Sequence, residues 1–162
     1  QEKVLDGIYK AAHKKLDTTI EDFIILPLDV AVAKAPAPEF ERRNIPLGDL
    51  AAGDMALDIG DASIERMAEE IKNAKTVIWN GTLGIAELPN FAHGSARLAL
   101  GLATSPKTTS IIGGGDTADF VLKWDGNDGK SFTHVSTGGG ASLELMAGKK
   151  LPGIECLLDA PR

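Results

Sequence analysis

Three times in the second half of this chain a short apolar run breaks into a glycine-bearing loop and then a helical pattern, and that alternation limits the folds open to it. Thr76-Val77-Ile78-Trp79 leads into Asn80-Gly81, Thr109-Ser110-Ile111-Ile112 into Gly113-Gly114-Gly115-Asp116-Thr117, and His134-Val135 into Ser136-Thr137-Gly138-Gly139-Gly140-Ala141. Strands that alternate with helices point to an α/β protein with helices packed on a parallel sheet. Ligands of such sheets sit at the carboxyl ends of the strands. If the strands are parallel, the three loops (80–84, 113–115 and 138–140) share one edge.

The first half is less regular. Leu5, Ile8, Tyr9, Ala12 and Leu16 fall at helical spacing, and Phe23-Ile24-Ile25-Leu26 reads as a short strand stopped by Pro27. Residues 34–54, with three prolines and two glycines among charges, read as a long excursion or a pair of short edge strands. Met55 to Gly60 reads as a strand and turn. Asp61 is the expected N-cap of a helix whose Ile64, Met67, Ala68 and Ile71 form one apolar face, and a second helix is expected over 91–103.

Composition narrows the chemistry. A chain of 162 residues, 43% hydrophobic and 25% charged, suffices for one domain with a core. No apolar run approaches the roughly 20 residues of a membrane span, and Gln1-Glu2-Lys3 lacks the basic-then-apolar order expected of a signal peptide. The single cysteine, Cys156, allows no internal disulfide; it reads as a buried, inert thiol, and a cytoplasmic location is expected. A net charge of −6 and 5% aromatic residues argue against a nucleic-acid surface. A phosphate compound would have to be held locally, by backbone dipoles, a metal ion or a few cations.

The glycine loops can supply such a hold. Bare backbone N–H groups at a helix N-terminus attract anions, and glycine lets the backbone approach a ligand without a Cβ in the way. Asp116 offers a hard oxygen for Mg²⁺ and Thr117 a donor to a phosphate oxygen. The same pentapeptide also reads as a tight turn with Asp116 as a mere cap. Ser136 and Thr137 bring two hydroxyls to the second triplet, which alternatively exists only for close packing. No P-loop or dinucleotide fingerprint is present. Asn80-Gly81 reads as a ligand loop rather than a hairpin turn, with Glu87 able to accept from a ribose hydroxyl pair or simply exposed. His13, His93 and His134 lack ligand spacing and read as solvated or packed.

The order of the motifs goes further. Trp79-Asn80-Gly81-Thr82-Leu83-Gly84-Ile85-Ala86-Glu87, then Ile111 to Thr117, then His134 to Glu144 closely resemble the phosphoglycerate kinase family; Leu26-Pro27-Leu28-Asp29, Leu57-Asp58-Ile59-Gly60 and Leu151-Pro152-Gly153 match it too. The resemblance implies a three-layer, Rossmann-like parallel-sheet domain. Residues 1–162 would form part of the C-terminal, nucleotide-binding domain, without the N-terminal substrate domain or the start of the nucleotide domain.

It also implies roles. Glu87 would hold the ribose hydroxyls, Asn80 and Gly81 would lie beside the phosphate chain, and Gly114, Gly115, Asp116 and Thr117 would hold phosphate and metal, with Asp116 as the Mg²⁺ ligand. Ser136, Thr137, Gly138, Gly139 and Gly140 would approach the transferred phosphoryl group, joined by the backbone of Gly115. Leu57 would pack near the adenine of ATP or ADP.

Two departures stand out: Thr82 replaces the usual proline, and Ala56 a common glycine against the adenine. The implied parent is a cytoplasmic, monomeric glycolytic enzyme that moves phosphoryl between 1,3-bisphosphoglycerate and ADP, giving 3-phosphoglycerate and ATP. Phosphoglycerate would bind only through the other domain, so these residues alone are expected to be inactive. The competing expectation is a standalone, noncatalytic nucleotide-sensing or interaction module of the same fold.

Overall fold

The computed structural model describes residues 2–16, 24–136 and 138–158. Helix α1 (Glu2–Leu16) comes first, as its spacing predicts. Strand β1 (Asp29–Ala33) then forms the centre of an antiparallel sheet between β2 (Arg43–Pro46) and β3 (Met55–Ile59). The strand expected over 23–26 is displaced: Phe23 lies outside the described residues, and Ile24 to Leu26 are not strand. Pro27 has no N–H to donate to a ladder. The run beyond it, Val30 to Ala33, finds partners on both sides and is buried, whereas Leu26 is 61% exposed.

Residues 34–54 contribute one edge strand, β2, rather than two. It ends at Pro46, and a short 3-10 turn (Leu47–Asp49) follows. The β1–β3 register shifts between Ala31 and Val32, so Ala31 faces Asp58 and Val32 faces Ala56.

From β3 onward the chain alternates as its pattern predicts. Helix α2 (Asp61–Asn73) leads to β4 (Thr76–Asn80), α3 (His93–Ala103) to β5 (Thr109–Gly113), and α4 (Gly115–Asp125) to β6 (His134–Val135); α5 (Gly140–Met146) and α6 (Pro152–Leu158) close the described chain. The strands β4, β5 and β6 form a parallel sheet in that order, making the protein an α/β, Rossmann-like fold. Trp79 and Ile112 on one face of this sheet pack with Ile71 of α2, Leu98, Ala99 and Leu102 of α3, and Val121 of α4. Ala33, Leu57 and Phe91 form a second buried cluster under the antiparallel sheet.

Asp61 is not the N-cap of α2. That position is Gly60, and Asp61, the first helical residue, instead accepts from Arg42 at 3.0 Å and Asn44 at 2.6 Å. Asp29, brought over by β1, does the capping: its carboxylate accepts the N–H groups of Ala62 at 3.1 Å and Ser63 at 2.8 Å. A side chain at Gly60 would collide with that carboxylate, so the glycine makes room for a cap from 31 residues upstream. Cys156, expected inside, is exposed on α6, a helix with no buried residue.

Candidate functional site

The parallel register places Asn80 beside Gly113 and Val135 beside Ile112, so the three glycine-bearing loops leave the sheet along one edge. At the first, the Trp79 indole N–H donates to the Gly81 carbonyl at 2.7 Å, and the Gly81 N–H donates to Thr117 Oγ1 at 2.8 Å. Thr117 is buried, and its hydroxyl ties the β4 loop to the start of α4. The Asn80 amide lies across the exit of β5: a Cβ on Gly113 would stand 3.1 Å from Asn80 Nδ2, and one on Gly114 3.1 Å from Oδ1. Gly114 also holds a φ of +88°, in the left-handed range that favours glycine.

Helix α4 opens without a side-chain cap. Its first intrahelical bond runs from Ala118 N–H to Gly114 carbonyl, leaving the amides of Gly115, Asp116 and Thr117 ahead of the ladder. Space around Gly115 is open, and Asp116 is exposed. Asp116, Asp119, Phe120 and Lys123, spaced for one helical face, look across a cleft of about 400 Å³ to Ala86 and Glu87. Glu87 and Asp116, candidates from separate loops, thus line one cleft. Asp119, Phe120 and Lys123 were not expected there; their i+3, i+4 and i+7 spacing from Asp116 is the signal that marks them once α4 is in place.

The third loop is held differently. Ser136 N–H extends the sheet by donating to Ile112 carbonyl at 2.7 Å, while its hydroxyl accepts from Gly138 N–H at 3.2 Å and lies 3.2 Å from Ser142 Oγ. Gly139 has a φ of +52°. Thr137 lies outside the described residues. None of the described residues of this loop lines the cleft.

Ala56 and Leu57 stand apart from the cleft as well. Ala56 is exposed on β3, and Leu57 is buried beside Ala33 and Phe91, with its carbonyl accepting Ile85 N–H at 3.0 Å. That bond is one of several fixing the 81–88 loop. Ser95, fully buried, accepts from Leu83 N–H and donates to Leu83 carbonyl, both at 2.8 Å.

Asp58 sits beneath the loop. Its Oδ1 accepts Ile59 N–H at 2.8 Å, and its Oδ2 accepts Gly94 N–H at 3.0 Å, in the first turn of α3. Burial pushes this carboxyl above the ordinary aspartate range against the pull of those amides and of the Arg42 charge.

Among the described residues no group of three or more His, Cys, Asp or Glu side chains forms a metal cage. Asp116 is an exposed carboxylate beside open amides, with Asp119 one turn along the same helical face. Such a donor set suits Mg²⁺ held mainly by phosphate oxygens and water, which needs only one or two protein carboxylates.

Fold and site together define an α/β protein of Rossmann-like architecture, with candidate ligand groups gathered at the carboxyl edge of a parallel sheet. The family model for phosphoglycerate kinase matches residues 2–149, and the chain belongs to that family. The phosphoglycerate kinase of Pelotomaculum thermopropionicum is 49% identical over 136 residues, 84% of this chain and 34% of that protein. That of Campylobacter hominis is 44% identical over 134 residues, 83% of this chain and 32% of that protein. Among solved structures, phosphoglycerate kinase from Coxiella burnetii matches 94% of this chain and 38% of its own at 30% identity, with a TM-score of 0.80. The enzyme from Pyrococcus horikoshii matches 97% and 37% at 32% identity, with a TM-score of 0.71. The chain spans about a third of the length of the curated relatives it matches.

Proposed function

We propose that residues 1–162 form part of the C-terminal, nucleotide-binding domain of a phosphoglycerate kinase, and that the cleft takes ADP or ATP with Mg²⁺. The observation that carries this reading is the meeting of Glu87 and Asp116 across one cleft. Ribose hydroxyls donate to the Glu87 carboxylate. The phosphates run toward the free amides of Gly115 and Asp116, past Asn80 and Gly81, where the helix dipole favours anions. Thr117 accepts from Gly81 N–H and keeps its own proton for a phosphate oxygen.

Asp116 ligates Mg²⁺, which when bound neutralises charge on the phosphate oxygens. The family resemblance assigns Leu57 and Ala56 to the neighbourhood of the adenine, although neither lines this cleft. The resemblance assigns the backbones of Gly115, Gly138 and Gly139, with Ser136, to the transferred phosphoryl group.

In this reading the whole enzyme moves phosphoryl between 1,3-bisphosphoglycerate and ADP, a glycolytic step in the cytoplasm. Such transfer depends on positioning and on cations that neutralise the transition state. Among the described residues lining the cleft, Lys123 is the only cation. The 162 residues alone therefore bind nucleotide weakly and show no turnover in a coupled assay.

Titration calorimetry with Mg-ADP tests the binding. Heat at millimolar nucleotide is expected from the unmodified chain, with affinity about tenfold lower for Glu87→Gln, the scale of a hydrogen bond to a charged group. No heat at that concentration, or full affinity in the variant, would sink the reading.

A further inference from the structure

Glu87 is exposed and belongs to no regular element, yet a ribose-binding carboxylate must be held in place for its hydrogen bonds to repay the ordering. Its loop is steered from beneath. Gly84 holds a φ of +71°, and a Cβ there would collide with the Phe91 carbonyl oxygen and stand 2.6 Å from Asp58 Cγ, so the backbone at this bend rests on both the segment entering α3 and the Asp58 carboxylate. A Cβ on Gly94 would stand 2.7 Å from Asp58 Oδ1. One buried side chain therefore touches the bend of the loop and the first turn of α3 while standing on β3, next to the Leu57 carbonyl that receives Ile85 N–H.

Capping α3 alone would not call for this arrangement. Ala92, the N-cap residue, supplies no side-chain oxygen, and a serine or asparagine there would satisfy an amide without burying a carboxylate. A carboxylate 5% exposed, reaching across from β3, does what a local cap cannot: it couples strand, helix and loop.

On the reading of Glu87 as the ribose ligand, we infer that Asp58 is a positioning residue, pinning Gly84 against β3 and α3 so that Glu87 faces the ribose hydroxyls. Asp58 touches no nucleotide in this scheme. It acts through the Gly84–Ile85 backbone.

The readout is discrimination between Mg-ADP and Mg-2′-deoxy-ADP, which differ by one of the hydroxyls assigned to Glu87. By calorimetry the unmodified chain is expected to prefer ADP about tenfold, a charged hydrogen bond's worth. Asp58→Ala should bring the ratio close to one, with Asp58→Asn between the two. General loosening would lower both affinities together and leave the ratio alone. A folded Asp58→Ala that keeps the full ratio overturns the inference.

Amide hydrogen exchange, read without nucleotide, gives a second decision. In Asp58→Asn, exchange at Gly94 and Ile85 should accelerate together, by about tenfold for a lost hydrogen bond of ordinary strength. Acceleration at Gly94 with Ile85 unchanged would reduce Asp58 to a helix cap and overturn the pin. If the unmodified chain binds neither nucleotide, the nucleotide reading fails, while the exchange result still decides whether Asp58 holds the loop.

Discussion

Two aspartates do the same job in this fold and titrate in opposite directions. Asp29 and Asp58 each bring a carboxylate to the opening turn of a helix whose own N-cap, Gly60 or Ala92, makes no side-chain hydrogen bond. Burial is the largest influence on Asp29 and pushes its carboxyl upward. The Ser63 hydroxyl, the amides of Ser63 and Ala62 and the Arg42 charge together outweigh it, leaving the group below its ordinary value of 3.8. At Asp58 burial prevails and the group lies above 3.8. The consequences for stability have opposite sign. Asp29 contributes stability that is present above 3.8 and lost as pH falls through its lowered value. Asp58 contributes a penalty that is absent below 3.8 and appears as pH rises through its raised value. Urea midpoints measured from pH 3 to 6 should show Asp29→Asn losing part of the acid-side decline, and Asp58→Asn losing part of a decline above 3.8. Parallel curves for Asp58→Asn and the unmodified chain would refute the second expectation. Neither cap is legible in the sequence, because the carboxylates arrive from 33 and 36 residues away. Asp61, one residue past the cap position, draws the eye instead.

Among the elements, the parallel half was open to reading, whereas in the antiparallel half only β3 was read in place and β1 was not. Each of β4, β5 and β6 is followed by its own loop and helix, so period and punctuation lie within about a dozen neighbouring residues. The strand β1 is defined by two partners that lie beyond the 34–42 excursion, and the apolar run before Pro27 imitated it. The candidate site divides along the same line. Glu87 and Asp116 stand out as residue types in motif loops, whereas Asp119, Phe120 and Lys123 acquire meaning only from the helical turn that carries them to the cleft. The loop between β4 and α3 also shows which glycines are obligatory. Gly84 and Gly53 both have positive φ, but a Cβ at Gly53 meets open space and one at Gly84 meets Asp58 and the Phe91 carbonyl. Gly53→Ala should cost about 1 kcal/mol, the left-handed penalty alone. Gly84→Ala should cost roughly 1–3 kcal/mol more, for overpacking. Urea denaturation compares the two, and equal losses would show that the loop can move off Asp58. At the join of β4 to α4, Thr117→Val should cost about 1–3 kcal/mol by leaving Gly81 N–H without its acceptor, while Thr117→Ser keeps the hydroxyl and most of the stability.

The whole molecule buries one face of its parallel sheet much better than the other. Trp79 and Ile112 are covered by α2, α3 and α4. Ile78, next to Trp79 but on the opposite side of β4, is 48% exposed, and β4 itself is the terminal strand of the sheet among the described residues. A sheet edge offers unpaired N–H and carbonyl groups to any strand that reaches it, and an apolar side chain beside that edge adds a reason for the partner to stay. Lys75, just before β4, is placed to discourage such pairing. The net charge of −6 is modest opposition, and salt screens it beyond about 8–10 Å. The chain on its own should therefore associate as its concentration rises. Size-exclusion chromatography with light scattering, run from micromolar to near-millimolar protein, should show the mass increasing. Ile78→Lys should move that rise to higher concentration by setting a charge on the exposed face, without disturbing Trp79 or Ile112 on the packed one. A single monomeric mass across the range would mean that the β4 edge is covered in solution. A variant that associates as readily as the unmodified chain would place the contact elsewhere, with the exposed leucines of α5 and α6 next to test.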